Sequence, residues 1–206
     1  MKALLINGSP HESGNTHRAL EEVARTLREE GVETEIVWIG NKPIPGCIAC
    51  YKCKETGVCV FNMLFAAAFA VLLSKYTGSS DIIIGTPVYY AGVAGSLCSL
   101  LDRLFFSAGN LMTRKVGASV AVARRAGADC ALDRIDKYFS INNMPIATSQ
   151  YWNLAYGRLP GEVEQDGEGM QTMRNLGHNI AWMLRGLDRA DAHPEKGERI
   201  ATNFIR

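Results

Sequence analysis

The chain has 206 residues, a length that suits one α/β domain with some elaboration and leaves little room for two. Hydrophobic residues make up 47% and charged residues 21% of the sequence, which is ordinary for a soluble globular protein and argues against extended disorder. The formal net charge of +1 gives no electrostatic reason to expect nucleic acid or an anionic membrane as a partner. We therefore expect one domain over residues 1–190 and a C-terminal tail over 191–206.

The apolar segments are too short for a signal peptide or a membrane span. Only four apolar residues follow Met1 and Lys2 before Asn7. The longest apolar run, 63–73, falls short of the roughly 20 residues that a spanning helix needs. We expect a cytoplasmic protein with no membrane partner. In that reducing compartment, cysteines are better candidates for metal, cluster or buried thiols than for disulfides.

The first elements in the chain are a strand, a loop and a helix that together predict an anion site. Residues 3–6 are an unbroken apolar run typical of a strand buried on both faces, and 17–30 carry apolar residues at helical spacing. We call the loop between them, residues 8–16, the phosphate loop. Unpaired N–H groups at the positive end of the helix would attract a phosphate there.

The composition of the phosphate loop indicates which kind of phosphate group it could bind. The loop contains no Lys or Arg, so a monophosphate held by neutral donors fits better than a nucleoside triphosphate. An ordinary turn, in which Ser13 or Asn15 only caps the helix, is the alternative. The candidate phosphate-binding residues are Ser9, His11, Ser13, Gly14, Asn15 and Thr16.

Beyond the first helix, the hydrophobic pattern predicts alternating strands and helices. Residues 33–38, three polar followed by three apolar, are predicted to form the second strand, and 81–85 form the clearest buried strand. Such alternation predicts a doubly wound parallel sheet with right-handed crossovers, and five strands fit the order 2-1-3-4-5. Ligands of these folds bind beyond the strand ends, where the first and third strands are neighbours. The remaining predicted strands are 117–123 and 145–149, and the later predicted helices are 61–76, 96–106, 129–139 and 169–187.

The predicted helix at 61–76 is apolar on every side. One face of a sheet covers only part of such a helix, so the rest needs a subunit interface or a lid from the preceding segment. We therefore expect a homodimer or homotetramer.

Four of the six cysteines fall within thirteen residues that show no trustworthy strand or helix period. This stretch, residues 47–59, is called the cysteine segment and is predicted to be an insertion after the second strand. Its spacing is Cys47-x2-Cys50-x2-Cys53-x5-Cys59. Compact C-x2-C-x2-C runs commonly bind iron–sulfur clusters, whereas zinc sites usually separate their cysteine pairs more widely. We favour a cluster, with structural zinc or no metal as the alternatives.

Three stretches of the sequence resemble those of a known protein family. Gly-Ser-Pro at 8–10 and Ser-Gly-Asn-Thr at 13–16 are similar to the FMN phosphate loop of the flavodoxin-like NAD(P)H-dependent FMN reductases. Pro-Val-Tyr-Tyr at 87–90 resembles the stretch that lies against the isoalloxazine ring in that family. The spacing of the cysteine segment resembles that of the iron–sulfur flavoproteins. The resemblance covers almost the whole chain and implies a flavodoxin-like fold that binds FMN.

The loop predicted at 86–92 follows the third strand and is the candidate site for the flavin ring. Its backbone N–H groups could bond the pyrimidine edge of the ring and stabilise the reduced flavin. Arginines after the fourth strand could meet flavin O2 or a pyridine nucleotide phosphate at the same edge. The alternatives are plain packing for the loop and plain solvation for the arginines. The candidate residues are Pro87, Val88, Tyr89, Tyr90, Gly92, Arg124 and Arg125.

These features predict an FMN-dependent oxidoreductase that takes hydride from NAD(P)H. Electrons would pass to a small acceptor, such as a flavin or quinone, or through a [4Fe–4S] cluster on the four cysteines of the segment. No dinucleotide fingerprint is present, so the nicotinamide would stack on the flavin. No side chain is assigned a catalytic role, because the cofactor carries the chemistry. The alternatives are an iron–sulfur electron carrier reduced by ferredoxin, and a non-enzymatic, zinc-stabilised interaction module.

Overall fold

The computed structural model describes residues 1–61, 80–190, 197, 198, 200, 202 and 204. The predicted apolar helix at 61–76, apart from Phe61, lies outside these residues, as does most of the predicted tail. The expected homo-oligomer therefore stays a prediction. Among the residues that are described, no helix is both long enough and apolar enough to cross a membrane.

The sheet is built from β1 (Lys2–Asn7), β2 (Glu33–Trp38), β3 (Ser80–Tyr89), β4 (Gly92–Val93), β5 (Val116–Ala123) and β6 (Leu154–Tyr156). Five of these strands are parallel, in the spatial order β2-β1-β3-β5-β6. β4 lies off this path and pairs antiparallel with the end of β3. Without β4 the order is the predicted 2-1-3-4-5, so the doubly wound, flavodoxin-like sheet is confirmed.

Helices cover both faces of the sheet. They are α1 (Asn15–Glu29), α2 (Lys52–Thr56), α3 (Gly95–Met112), α4 (Ala128–Ile141) and α5 (Gly167–Arg189), with a short 3-10 helix at Glu162–Gln165. α1 and α5 pack on one face, and α3 and α4 pack on the other. The short α2 lies inside the cysteine segment, which comes between β2 and β3 in the chain.

The two interior strands β1 and β3 show why their apolar runs are unbroken. Side chains alternate between the faces of a strand, so a strand covered on both sides needs an apolar residue at every position. Ile82 and Ile84 pack with α3 and α4, whereas Ile83 between them packs with α1 and α5. Ile6 and Leu5 of β1 divide in the same way.

The last strand lies later in the chain than the sequence predicts. Residues 145–149 make only an isolated bridge, between Ile146 and Gly117 at the start of β5. The strand is β6, which pairs with the end of β5. The edge of β5 is thus shared by two short stretches, and neither is long enough to show a strand period. One consequence is that the loop after the last strand begins at Gly157.

The third strand is longer than predicted. The sequence predicts a strand at 81–85 followed by a loop, but β3 continues to Tyr89 and turns back into β4 as a hairpin. Tyr90 and Ala91 form the turn with φ values of 49° and 58°. Pro87 lies opposite Val122 in the last residue pair between β3 and β5. Because proline lacks an N–H, it is tolerated at this position near the strand's end, where little of the hydrogen-bond ladder remains to be interrupted.

Candidate functional site

The start of the phosphate loop is tied to the sheet by three hydrogen bonds. The N–H of Gly8 donates to the carbonyl of Gly85 in β3 at 2.9 Å, and the N–H of Ser9 donates to Asn7 Oδ1 at 3.1 Å. Trp38, the last residue of β2, donates its Nε1–H to the carbonyl of Ser9 at 2.8 Å. A Cβ on Gly8 would lie 2.9 Å from the Gly85 oxygen, so this close approach requires glycine. The loop therefore leaves β1 along a fixed path.

The end of the phosphate loop leaves the start of α1 without a protein cap. Gly14 is the N-cap residue, and no side chain accepts a hydrogen bond from the first turn. In the described part of the chain, no backbone acceptor takes the N–H groups of residues 12–17. The alternative in which Ser13 or Asn15 caps the helix is therefore not what the structure has. Unpaired N–H groups at the positive end of a helix are suited to a phosphate.

The side chain of Asn15 holds a neighbouring loop instead. Its Oδ1 accepts the N–H groups of Gly161 and Val163 at 3.0 and 3.4 Å, and its Nδ2 donates to the carbonyl of Leu159 at 2.9 Å. The amide is thus engaged on both sides. The second N–H of Nδ2 and the backbone N–H of Asn15 are not engaged by these contacts, and neither are the hydroxyls of Ser13 and Thr16.

The phosphate loop forms one wall of an open cleft of about 520 Å³. That volume lies within the range of roughly 300–1,000 Å³ typical of small-molecule sites. The cleft opens at the carboxyl ends of the strands, where doubly wound sheets bind ligands. Its size and its unpaired N–H groups fit a phosphorylated cofactor such as FMN. Of the candidate residues, Ser9, His11, Ser13, Gly14, Asn15, Thr16 and Pro87 line the cleft.

Sequence reasoning missed the wall formed by the loop after β6, because it placed the last strand too early. Gly157 lines the cleft at the point where this loop meets the phosphate loop. A Cβ there would lie 2.7 Å from the backbone nitrogen of Val163 and 3.0 Å from Asn15 Nδ2. Glycine is needed for that approach. The available signal was the Tyr-Gly-Arg sequence at 156–158, which ends a short apolar stretch.

Arg158 follows Gly157 and brings a cation to the cleft that the phosphate loop itself lacks. The carboxylate of Glu162 accepts the N–H groups of Leu159 and Arg158 at 2.8 and 2.7 Å, which fixes the backbone of this loop. The same two hydrogen bonds lower the pKa of Glu162. The guanidinium of Arg158 is exposed and forms no ion pair with a described residue.

The residues predicted to contact the flavin ring lie mostly outside the lining of this cleft. Pro87 alone of this set lines it. Val88 packs against the core beneath α3 and α4, and Gly92 pairs with Tyr89 in the hairpin. The ring-binding role of the set stays a prediction. Its exposed members are Tyr89, Tyr90, Arg124 and Arg125.

The cysteine segment packs against α3. The ring of Tyr51 meets Phe106 of α3 edge-on, with centroids 5.6 Å apart, and Lys54 Nζ lies 4.5 Å from the centre of the same Phe106 ring. Ile44, just before the segment, packs against the core. These contacts place the segment over one end of α3. Cys47 and Cys50 are exposed, and Cys53 and Cys59 are half-buried.

All four cysteines of the segment line one pocket, together with Arg103, Phe106 and Ser107 of α3. The cavity is small, about 20 Å³. No three His, Cys, Asp or Glu side chains in the described ranges are close enough together to hold a metal ion. The thiols therefore share a pocket without being arranged as a ligand set. Four soft sulfur donors in one segment fit an iron–sulfur cluster or zinc by their chemistry.

Arg103 forms hydrogen bonds near both ends of the cysteine segment. Its Nε–H donates to Cys59 Sγ at 3.4 Å, and Nη1 donates to the carbonyl of Pro45 at 3.3 Å. Its guanidinium also lies 5.0 Å from the ring centre of Phe61. Asp102, the residue before Arg103, contacts Arg134 at 3.2 Å.

Comparisons with known proteins identify the family of this chain. A sequence model of the family described as NADPH-dependent FMN reductase matches residues 1–158. An iron–sulfur flavoprotein of Methanocaldococcus jannaschii is 34% identical over 193 residues, covering 90% of this chain and 98% of that protein. The family match includes the phosphate loop, the cysteine segment and β6.

Solved structures show the same fold at low sequence identity. RosB with bound 8-demethyl-8-formylriboflavin-5′-phosphate has a TM-score of 0.69 and 16% identity, covering 100% of this chain and 94% of that one. A flavodoxin from the domain Archaea has a TM-score of 0.59 and 16% identity, with 90% and 99% coverage. The family match and the M. jannaschii relative show that this chain belongs to the NADPH-dependent FMN reductase family, in its iron–sulfur flavoprotein branch.

Proposed function

We propose that this protein is an oxidoreductase that takes hydride from NAD(P)H onto FMN and delivers electrons to a small acceptor or through a [4Fe–4S] cluster. The observation that carries the proposal is the uncapped start of α1, which opens into a cleft at the carboxyl ends of β1 and β3. Family membership supports FMN as the cofactor and oxidoreductase as the class.

The phosphate of FMN would bind at the start of α1. Backbone N–H groups supply most of the donors there, and the hydroxyls of Ser13 and Thr16 supply two more. Asn15 contributes its backbone N–H, while its amide holds the loop after β6 through Oδ1 and one N–H of Nδ2. That loop carries Arg158, whose guanidinium can form charge-assisted hydrogen bonds with a phosphate.

The cleft is also open enough to admit a substrate beside a bound flavin. Bound FMN supplies hydride acceptance and one-electron transfer, and the protein supplies binding, orientation and access. The sequence has no dinucleotide fingerprint, so the cleft would admit the nicotinamide and the acceptor in turn. The cleft is open to solvent and lined on one side by aromatic and apolar residues such as Trp38 and Val122.

The cysteine segment is the proposed cluster site. Its four cysteines line one pocket, and their compact spacing is typical of cluster ligands. Thiol ligands and metal commonly organise each other, since metal binding and local folding are coupled. A protein that holds the cluster could also act as an electron carrier reduced by ferredoxin, and the shared cysteine pocket is the observation that favours this second function.

The phosphate site is tested by comparing FMN with riboflavin, which lacks the phosphate. The double variant Ser13→Ala/Thr16→Val removes two hydroxyls with little change in shape. We expect a loss of FMN affinity of about a hundredfold or more, because each of the two hydrogen bonds to a charged group contributes roughly 1.5–3 kcal/mol. Riboflavin affinity should change less than twofold. Ser140→Ala, on the exposed end of α4, is the control. Equal weakening of both ligands would contradict the placement of the phosphate.

The hydride donor is tested on anaerobic, FMN-loaded protein mixed with NADH or NADPH in a stopped-flow instrument. Bleaching of the flavin absorbance by either nucleotide supports the oxidoreductase. Reduction by ferredoxin alone supports the carrier instead. Zinc without bound flavin would support the interaction module and overturn both redox functions.

A further inference from the structure

Arg103 is a buried cation whose polar atoms are only partly satisfied by the protein. Its relative exposure is 2%. Nε and Nη1 donate to Cys59 and Pro45, but Nη2 is buried and has no hydrogen-bond partner among the described residues. Buried donors are almost always paired in native proteins, and a charged donor is costly to leave unpaired.

No carboxylate in the described part of the chain neutralises this guanidinium. Asp102, its neighbour on α3, contacts Arg134 and Tyr138 of α4 instead. Taking an isolated charge out of water costs several kcal/mol or more unless an opposite charge compensates it. The two acceptors that Arg103 does have are a neutral carbonyl and a thiol. The protein therefore holds a buried positive charge that no negatively charged side chain of the described residues balances.

The guanidinium of Arg103 lies at the pocket of the cysteine segment. Among the described residues that line it, Arg103 is the one charged side chain, and the others are the four cysteines and mainly apolar or aromatic side chains. Cysteines bind metal as thiolates, so a loaded pocket would carry several negative charges next to the guanidinium. The charge and the orphaned Nη2 are then both accounted for.

We propose that Arg103 is the counter-charge of the cluster site: a positioning residue that holds Cys59 and raises the reduction potential of the cluster bound there. This inference rests on the proposed function, since it needs a cluster. Reduction adds one electron and hence one negative charge to a site that is already anionic. A fixed cation in a low-dielectric pocket stabilises the reduced form more than the oxidised form. NAD(P)H, through FMN, or ferredoxin supplies the electron.

The test is an anaerobic redox titration of the reconstituted holoprotein, followed by electron paramagnetic resonance for the cluster and by absorbance for FMN. Arg103→Gln should lower the cluster potential by about 59 mV or more, a tenfold change in the one-electron equilibrium. Arg103→Lys keeps the charge and should recover more than half of that shift. The FMN potential serves as an internal reference and should stay constant.

Arg134→Gln is the matched control, because it removes the same charge from a partly exposed network that does not line the cysteine pocket. It should leave the cluster potential unchanged. If Arg103→Gln loses its iron, the iron content and cluster potential of Arg103→Lys become the test. Retained iron at the native potential in Arg103→Lys supports the counter-charge. Loss of iron from both variants, or an unchanged potential in Arg103→Gln with full iron, overturns it. A native protein that takes up no cluster overturns the proposed cluster and this inference together, whereas the other outcomes concern Arg103 alone.

Discussion

The phosphate loop and the cysteine segment are both loops proposed to bind a cofactor, but the protein holds them in different ways. The phosphate loop is hydrogen-bonded to two strands, through Gly85 of β3 and Trp38 of β2. The cysteine segment packs on α3 through a few side chains and contains only the five-residue helix α2. Its backbone also has left-handed φ values at Ala49 and Tyr51, of 52° and 58°.

This difference indicates two ways of making a site. Donors for a phosphate are present in the protein before any ligand binds, because the sheet positions the loop and the helix supplies the N–H groups. Thiols for a cluster are only gathered into one pocket, and the bound group would complete their arrangement. Changes to the phosphate site should therefore act on ligand affinity and stability. Changes to the cysteine segment should act on metal content.

The largest effect is expected when one thiol is removed. Cys50→Ser should reduce iron from about four per chain to less than one after anaerobic reconstitution, because a cluster of this kind uses four cysteine ligands. FMN content should not change, since no cysteine lines the cleft. Iron and flavin assays on the same sample measure both. Cys130→Ser, an exposed cysteine on α4, is the control and should keep its iron. Loss of FMN along with iron would mean that the two sites are not independent.

The rigid wall of the cleft can be disturbed at Gly157. Gly157→Ala would place a Cβ 2.7 Å from the backbone nitrogen of Val163, and we expect a loss of about 1–3 kcal/mol in the free energy of unfolding. Gly186→Ala is the matched control on the exposed side of α5, where a Cβ meets nothing within 4 Å. It should raise stability by roughly 0.5–1 kcal/mol, as expected for alanine in a helix interior. Urea unfolding of both variants tests the opposite signs.

A smaller effect is expected from Arg158. Arg158→Gln should lower FMN affinity by about twofold to fivefold, since an exposed charge contributes roughly 1 kcal/mol or less, and should leave riboflavin affinity unchanged. The difference should shrink at high salt, because salt screens exposed charges. Arg124→Gln removes an equivalent charge that does not line the cleft. Weaker binding of both FMN and riboflavin in Arg124→Gln would instead support the predicted ring contact.

The smallest effect concerns the ion pairs that anchor α1 behind the phosphate loop. Glu22 bonds Arg25 at 2.9 Å and Arg174 of α5 at 2.7 Å, and the bond with Arg25 is the main cause of a lowered pKa for Glu22. A carboxyl with a lowered pKa in the folded state contributes stability above its unfolded pKa and loses it as the pH falls through the folded value. Glu22→Gln should cost about 0.5–1 kcal/mol at pH 7, and the difference should vanish in acid below the usual carboxyl range near 4.3.

Glu55→Gln, in the cysteine segment, provides the comparison for Glu22. Among the described residues, Glu55 pairs with Lys52 alone, at 3.0 Å, and both side chains are exposed. An exposed pair on a short helix contributes little, so we expect no measurable change in unfolding free energy at either pH. A pH-dependent loss in Glu55→Gln equal to that in Glu22→Gln would show that the cysteine segment is as firmly anchored as α1.

Local patterns in the sequence determined most of the fold and the wall of the cleft that the phosphate loop forms. The unbroken apolar run at 3–6 predicted β1, because burial on two faces leaves a direct mark on residue order, and the strand predicted at 33–38 is β2. The phosphate loop was predictable for the same reason, since a strand, a loop and a helix that are adjacent in sequence are adjacent in space. The cysteine spacing likewise identified the proposed ligands of the cluster.

Contacts between distant parts of the chain were decided only by the tertiary structure. Leu159 meets the amide of Asn15 across 144 residues, and Arg103 meets Cys59 across 44. β6 has three residues and no readable period, and its place is set by the free edge of β5. Periodicity records which face of an element is buried, but it does not record which polar groups meet when crossovers bring distant loops to the same edge. Gly157, Arg158 and the role of Arg103 therefore became apparent only once the sheet was assembled.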